Sequence, residues 1–150
     1  MIVYRELSSL EQDLGFPART LYSLSNDIEK HYKQIRIPKK SGGFRTLSVP
    51  DDLLKTVQKK IAKVILSTSP VSEFATAYKQ GASVQKNAKK HIGKEKILKL
   101  DIKHFFDSII YSTVKEKAFP KARFSESNRI LLTMLCYYHD TLPQGAPTSP

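Results

Sequence analysis

The chain has 150 residues, enough for one domain with a hydrophobic core, and its 40% hydrophobic and 26% charged residues are typical of a globular protein. No apolar run approaches the roughly 18 residues of a membrane span, and the N-terminus lacks the charged start and apolar block of a signal peptide. With one cysteine, Cys136, an internal disulfide and a multi-thiolate zinc site are excluded. We therefore expect a reducing, cytoplasmic setting without a membrane partner.

Positive charge is concentrated in the middle of the chain. The formal net charge is +11, and residues 30–103 hold eighteen basic and five acidic residues, a local net charge of +13. Residues 1–29 hold two basic and five acidic residues, and residues 104–150 hold five basic and four acidic residues. A solvated lysine-rich surface would explain this excess, but a polyanion that releases counterions on binding relieves the self-repulsion. Composition therefore favours a nucleic-acid partner.

One or two short helices and then a β-hairpin are predicted for the first 50 residues. The spacing of leucines near the N-terminus predicts one or two helices, interrupted at residues 15–17. Residues 32–37 and 44–49 then alternate with β-branched and aromatic side chains, and the KSGG sequence at 40–43 supplies a turn. This pattern predicts a β-hairpin with a basic tip, ended by Pro50.

Two helices are predicted after the hairpin. Asp51 or Asp52 can cap the first of them. Its apolar stripe consists of Leu53, Leu54, Val57, Ile61, Val64 and Ile65, and its opposite face shows Lys55, Lys59, Lys60 and Lys63. The second helix is expected from Ser83 to His91, between Gly81 and Gly93.

The last third of the chain predicts a strand followed by two helices. Residues 97–102 have the composition of a buried strand that leads into two phenylalanines. A short helix is expected at 112–118, and a longer one from a Ser125 cap to Tyr138. Helices and strands mix without a regular βαβ rhythm, which predicts an α+β fold. Because the chain stops at Pro150 without a closing element, we expect a truncated chain.

Two segments carry residues suited to chemistry. Asp101 lies at the end of the predicted strand, where a buried carboxylate needs a metal ion or hydrogen-bond donors. Acceptance of backbone hydrogen bonds in a turn is the alternative interpretation. Gln144 lies among the prolines and glycine of residues 142–150, which hold the backbone so that its amide can bind a sugar or a base edge. The alternative is an ordinary surface turn.

The remaining polar residues receive structural interpretations. His31, His104 and His139 show no metal-ligand spacing with Cys136, so surface or packing roles are expected. Asp107 is expected either to cap a helix or to lie near a metal ligand without binding the metal.

In order, these segments resemble the reverse transcriptases. LKLDIKHFFDSI at 98–109 and LPQGAPTSP at 142–150 are similar to the first two palm motifs, and IPKKSGGFRTLSVP at 37–50 resembles the fingers hairpin. The stretch NAKKH at 87–91 resembles an element of retron-type bacterial enzymes. Group II intron maturases remain an alternative lineage.

The resemblance covers residues 30–150 and implies a division of the chain. Residues 1–29 would form an N-terminal helical segment, residues 30–95 the fingers, and residues 96–150 the first part of a palm. The chain would end before the Tyr-x-Asp-Asp turn and the thumb of the family.

Roles for individual residues also follow from the resemblance. Asp101 would be the catalytic, metal-ligating carboxylate, with the Ile102 carbonyl as a further ligand. Phe106 would exclude a 2′-hydroxyl, while its neighbour Phe105 suits the core. The nucleotide-binding residues would be Lys39, Lys40, Arg45, Phe106, Gln144 and Gly145. The RNA-binding residues would be Lys55, Lys59, Lys63, Asn87 and His91.

The implied function is an RNA-directed DNA polymerase that uses two Mg²⁺ ions in phosphoryl transfer. Its partners would be an RNA template, the DNA product and deoxynucleoside triphosphates, together with a cognate structured RNA and an effector protein in antiviral defence. We expect the fragment to be inactive alone. A non-catalytic RNA-binding module derived from a polymerase is an alternative. An enzyme that makes RNA is another, against which Phe106 argues.

Overall fold

The computed structural model describes residues 3–40, 42–78 and 81–150, and the α+β prediction is confirmed. In these ranges, the helices are combined with one two-stranded antiparallel sheet. The helices and strands are α1 (Leu7–Leu14), α2 (Ala18–Asn26), β1 (Tyr32–Pro38), β2 (Phe44–Pro50), α3 (Asp52–Lys60), α4 (Val84–Lys89), α5 (Tyr111–Ala118) and α6 (Glu126–Cys136). Short 3₁₀ turns lie at Ile28–His31, Leu66–Thr68 and Phe106–Ser108, and a π-helical segment at Ile61–Ile65 prolongs α3.

The break between the first two helices is confirmed at Gly15. This glycine has φ +74° and donates its N–H to the Glu11 carbonyl at 2.8 Å, which ends α1 in the left-handed conformation that glycine adopts without strain. Pro17 then occupies the N-cap of α2. Both helices bury leucines and pack on the rest of the core.

The hairpin is also confirmed. Its register pairs Tyr32 with Pro50 at the base and Pro38 with Phe44 at the tip. The Lys39 N–H donates to the Gly43 carbonyl at 3.0 Å and closes the turn. Ser41, part of the predicted turn, lies outside the described residues.

One hydrophobic core joins the N-terminal helices, α3 and α6. Its buried members include Leu10, Leu14, Leu21, Leu24, Leu54, Val57, Ile61, Ile65, Leu131, Leu132 and Leu135. Tyr4 is tied to the chain near α6 by a backbone bridge to Phe124, and the two rings stack at 5.3 Å between centroids. The buried Gln58 amide donates to the Tyr32 hydroxyl and the Leu135 carbonyl at 2.7 and 2.8 Å, which links the hairpin base to α6.

The predicted buried strand at 97–102 is wrong. This segment forms neither helix nor strand, and Ile97, Leu98, Leu100 and Ile102 are each between 63% and 82% exposed. A β-strand needs a neighbour for its backbone N–H and C=O groups. In the described ranges only β1 and β2 form a ladder, so an apolar composition alone does not produce the strand.

One residue of a predicted apolar stripe and the ends of two helices differ from the prediction. Leu53 is 45% exposed and does not belong to the buried stripe of α3. Helix α4 ends at Lys89, so His91 lies in the turn that follows rather than on the helix. Helix α6 ends at Cys136, short of Tyr138, and its N-cap Ser125 makes no side-chain capping bond. Within the described ranges, the helices are too short and too polar to cross a membrane.

Candidate functional site

A cleft of about 1000 Å³ brings together residues from three distant segments. The hairpin tip contributes Lys39, Lys40 and Arg45, and the loop after α6 contributes Gln144. The third wall is the segment 100–107, which includes Asp101, Ile102 and Phe106. Each of the three segments lies within one sequence motif, at residues 37–50, 98–109 and 142–150.

The hairpin positions its basic side chains through strand alternation. Arg45 pairs with Ile37 across the ladder, so both lie on one face of the sheet. Gly42 and Gly43 have φ values of +87° and +77°, which only glycine adopts readily, and the tight turn places Lys39 and Lys40 at the tip. The tip therefore points several donors of positive charge toward the same opening.

The wall formed by residues 100–107 is shaped by a short 3₁₀ turn. Phe106 is half-buried against the core, and the Phe105 and Phe106 rings meet edge to face at 5.4 Å. Phe105 is 47% exposed, so the expectation that Phe105 is the core phenylalanine is wrong. The turn begins after Phe105, and its geometry directs Phe106 inward instead.

The loop after α6 is held against both other walls by backbone hydrogen bonds. The Leu142 N–H donates to the Phe106 carbonyl at 3.4 Å, and the Ser48 N–H donates to the Gln144 carbonyl at 3.1 Å. Gly145 has φ +114°, and a Cβ there would lie 3.4 Å from the Ser48 carbonyl oxygen. Gly145 does not line the cleft itself; it lets the loop approach β2 so that Gln144 does.

The cleft is positively charged on balance. Four basic side chains, Lys39, Lys40, Arg45 and Lys103, face two carboxylates, Asp101 and Asp107. An anion with several charges would be attracted to this opening.

Five lining residues had not been predicted as site residues: Leu100, Lys103, His104, Phe105 and Asp107. His104 has φ +53°, and its Nδ1 lies 2.9 Å from an Asp107 carboxylate oxygen. Their signal was their place inside the motif at 98–109, because a turn after Asp101 brings its neighbours to the same opening. The apolar composition of residues 97–102 had predicted a strand there and no turn.

The carboxylates match part of a divalent-cation site. Carboxylate oxygens are the ligands that Mg²⁺ prefers, and Asp101 and Asp107 share the cleft. No group of three or more His, Cys, Asp or Glu side chains that could hold a metal ion occurs in the part of the chain that the structure describes. These residues alone thus do not fit a complete two-ion site.

The predicted RNA-binding residues lie outside the cleft lining. Lys59 and Lys63 are exposed along α3 and its extension, whereas Lys55 is half-buried. Asn87 is exposed on α4, and His91 is exposed in the next turn. The backbone N–H of His91 donates to the Ala88 carbonyl at 2.9 Å. All of these positions except Lys55 are open to solvent, and the role of the five residues stays a prediction.

Two titratable groups outside the cleft have structural environments. Partial burial would raise the pKa of Asp51, but hydrogen bonds from His31 at 2.6 Å and from the Leu54 N–H at 2.9 Å outweigh it and lower that pKa. Asp51 thereby caps α3, as predicted. Burial raises the pKa of the Cys136 thiol to about 12, so this cysteine is a neutral core residue.

Comparison with known proteins identifies the family. The model of the reverse transcriptase (RNA-dependent DNA polymerase) family matches residues 37–150. Retron Ec83 reverse transcriptase of Escherichia coli is 33% identical over 129 residues, which cover 80% of this chain and 41% of that protein. Retron Mx65 reverse transcriptase of Myxococcus xanthus is 32% identical over 169 aligned residues, which cover 99% of this chain and 40% of that protein. Retron Ec86 reverse transcriptase of Escherichia coli is 30% identical, with 99% and 47% covered.

The chain spans less than half the length of each of these curated relatives. The family model nevertheless matches well over half of the chain, including the hairpin tip, the wall at 100–107 and the loop that carries Gln144. This chain therefore belongs to the reverse transcriptase family.

Proposed function

We propose that the chain is part of an RNA-directed DNA polymerase of the retron type and that its cleft binds the triphosphate of an incoming deoxynucleotide. The observation that carries this proposal is the convergence of Lys39, Arg45, Asp101, Phe106 and Gln144 on one cleft. They come from segments that are distant in sequence, and the resemblance had implied a nucleotide or metal role for each.

The chemistry of the cleft suits phosphoryl transfer. That reaction needs little covalent help from the protein and depends on positioning and on neutralising charge. The Arg45 guanidinium can bind two phosphate oxygens at once, while the lysines at the tip act as point charges. Phe106 packs against the core and is proposed to contact the sugar. The Gln144 amide is proposed to contact the nucleotide or the template.

We propose that Asp101 and the Ile102 carbonyl contribute ligands to divalent cations, with Mg²⁺ as the family's expected ion. Such ions would neutralise the triphosphate and activate a primer hydroxyl. Each Mg²⁺ requires several oxygen ligands in a fixed geometry, and the described residues do not bring enough of them together. We therefore expect the 150-residue chain to bind nucleotide without extending a primer.

The names of the retron relatives support the substrates that we propose. Because they are named retron reverse transcriptases, an RNA template, a DNA product and a cognate structured RNA are the proposed partners, with an effector protein as a further one. We assign residues 30–95 to the fingers and 96–150 to part of the palm, with residues 1–29 as an N-terminal helical segment.

Equilibrium binding of a fluorescent deoxynucleoside triphosphate to the chain tests the proposal. Arg45→Gln should weaken binding about tenfold, because a charge-assisted bidentate contact is lost. Lys33→Gln is the matched control, since Lys33 is exposed at the base of the same hairpin and does not line the cleft. Equal affinity for wild type and Arg45→Gln would reject the triphosphate site.

A non-catalytic RNA-binding module is the second candidate. The exposed Lys59 and Lys63 of α3 and its extension favour it, because they can contact RNA phosphates without any role in catalysis. The same titration separates the two, because a module of this kind would bind RNA but show no affinity for the triphosphate.

A further inference from the structure

The hairpin has a second face that is turned away from the cleft. Phe44 and Arg45 are neighbours in β2, so their side chains project from opposite faces of the sheet. Arg45 lines the cleft, whereas Phe44 does not. The face that carries Phe44, here called the outer face, consists of Gln34, Arg36, Pro38, Phe44 and Thr46, all of which are exposed.

An aromatic ring and a guanidinium are already stacked on this outer face. The Arg36 Cζ lies 4.8 Å from the centroid of the Phe44 ring, and 57% of Phe44 is exposed. Arg36 belongs to no ion pair recorded for the described residues. Its N–H groups are thus open to an anionic ligand, and the contact with the ring reduces the side-chain freedom that binding would remove.

Charge indicates what kind of ligand this face fits. Residues 32–50 contain five basic residues and no acidic residue. An unpaired nucleotide presents both complements at once, because its base can stack on an aromatic ring and its phosphate can accept hydrogen bonds from a guanidinium. An acidic protein segment would satisfy the charges but would leave the exposed ring without a flat partner.

We propose that the outer face binds an unpaired stretch of RNA, with a base stacked on Phe44 and a phosphate held by Arg36. The inference rests on the proposed function, since it assumes an RNA-handling protein. It adds a second RNA contact that is separated from the cleft by the thickness of the hairpin. Exposed aromatic platforms beside basic side chains bind single strands with little sequence preference.

Equilibrium binding of two labelled probes tests the site: a ten-nucleotide adenylate RNA and an abasic strand of the same length, without deoxynucleotide. Phe44→Leu should weaken binding of the adenylate RNA about tenfold and leave the abasic strand unchanged, since only a base can stack. Phe44→Tyr should retain wild-type affinity. Arg36→Gln should weaken both probes. Tyr22→Leu is the matched control, because Tyr22 is an exposed aromatic residue of α2 in the acidic N-terminal segment.

The outcomes separate this inference from the proposal on which it rests. If Phe44→Leu binds the adenylate RNA as tightly as wild type does, and its urea unfolding midpoint is unchanged, the outer-face site is overturned. The proposed function would still stand. If binding of a ten-residue glutamate peptide depends on Phe44 as strongly as binding of the RNA does, the outer face fits an acidic protein partner. This result would also overturn the outer-face RNA site. Failure of the wild-type chain to bind either probe would overturn the outer-face site, whereas the proposed function is rejected only if the triphosphate titration also shows no binding.

Discussion

The backbone N–H of Ser48 in β2 donates a hydrogen bond of 3.1 Å to the carbonyl of Gln144. This bond satisfies a backbone donor on the free edge of β2. Without it, that N–H group would face solvent or another chain. It also joins two motifs that lie almost 100 residues apart in the sequence. The hairpin and the loop after α6 are thereby fixed relative to each other, and both contribute side chains to the cleft.

Gly145 is predicted to be required for this junction. A Cβ at φ +114° is strained in itself, and it would have little room to relax because the Ser48 carbonyl oxygen would lie in contact with it at 3.4 Å. Gly145→Ala should lower the free energy of unfolding by about 2 kcal/mol and weaken nucleotide binding, because Gln144 must shift. Urea unfolding and triphosphate titration measure the two effects.

Gly93→Ala is the control for that experiment. Gly93 also has a positive φ, +73°, but nothing lies within 4 Å of the position its Cβ would take. Its substitution should cost about 1 kcal/mol from the left-handed conformation alone and leave nucleotide binding intact. Equal losses for the two variants would show that the close approach to β2 contributes nothing.

The exposed lysines of α3 and its extension are predicted to contact RNA phosphates. Each such contact contributes about 0.7 to the slope of log affinity against log salt for a single strand. Lys59→Gln with Lys63→Gln should therefore reduce that slope by about 1.4. Lys117→Gln with Lys121→Gln, outside the basic block, is the matched control and should leave the slope unchanged. An equal slope for both double variants would mean that the α3 lysines are merely solvated.

The sequence predicted the elements whose signals are local. Leucine spacing and Gly15 defined the N-terminal helices, and alternation with a glycine turn defined the hairpin. The strand at 97–102 failed because its formation depends on a partner strand, which composition does not report. The resemblance of the motifs to the reverse transcriptases indicated Asp101, Arg45 and Gln144 as site residues, but their convergence depends on long-range contacts such as the Ser48–Gln144 hydrogen bond.

Sugar selection provides a prediction for Phe106. Its ring lines the cleft and is supported by the core, so it can hold a fixed wall beside the sugar. Phe106→Val should remove part of this wall and improve binding of ribonucleoside triphosphate relative to deoxynucleoside triphosphate about tenfold. Phe74→Val, at an exposed phenylalanine that does not line the cleft, should leave the ratio of the two dissociation constants unchanged. An unaltered ratio in Phe106→Val would reject the role of Phe106.

The Asp51 cap gives the chain a predictable dependence on pH. The pKa of Asp51 is lower in the folded chain than its ordinary value of 3.8, because the hydrogen bonds from His31 and Leu54 outweigh partial burial. The ionised carboxylate therefore stabilises the fold above pH 3.8, and this contribution is lost as the pH falls through the lower, folded pKa.

Asp51→Asn should accordingly be less stable than wild type by about 1 kcal/mol at pH 7, and the difference should shrink toward pH 2. Urea unfolding at several pH values measures it, with Asp52→Asn, an exposed neighbour in the first turn of α3, as the control. A difference that stays constant with pH would show that the Asp51 charge does not contribute.

The central claim is that three distant segments form one binding site for a nucleoside triphosphate. Titration of deoxythymidine triphosphate with Mg²⁺ into the ¹⁵N-labelled chain, followed by amide chemical shifts, tests it directly. We predict that residues 39–45, 101–107 and 144 shift together with a single dissociation constant, while residues 84–89 of α4 do not respond. Shifts confined to one of the three segments, or different dissociation constants for them, would contradict the account.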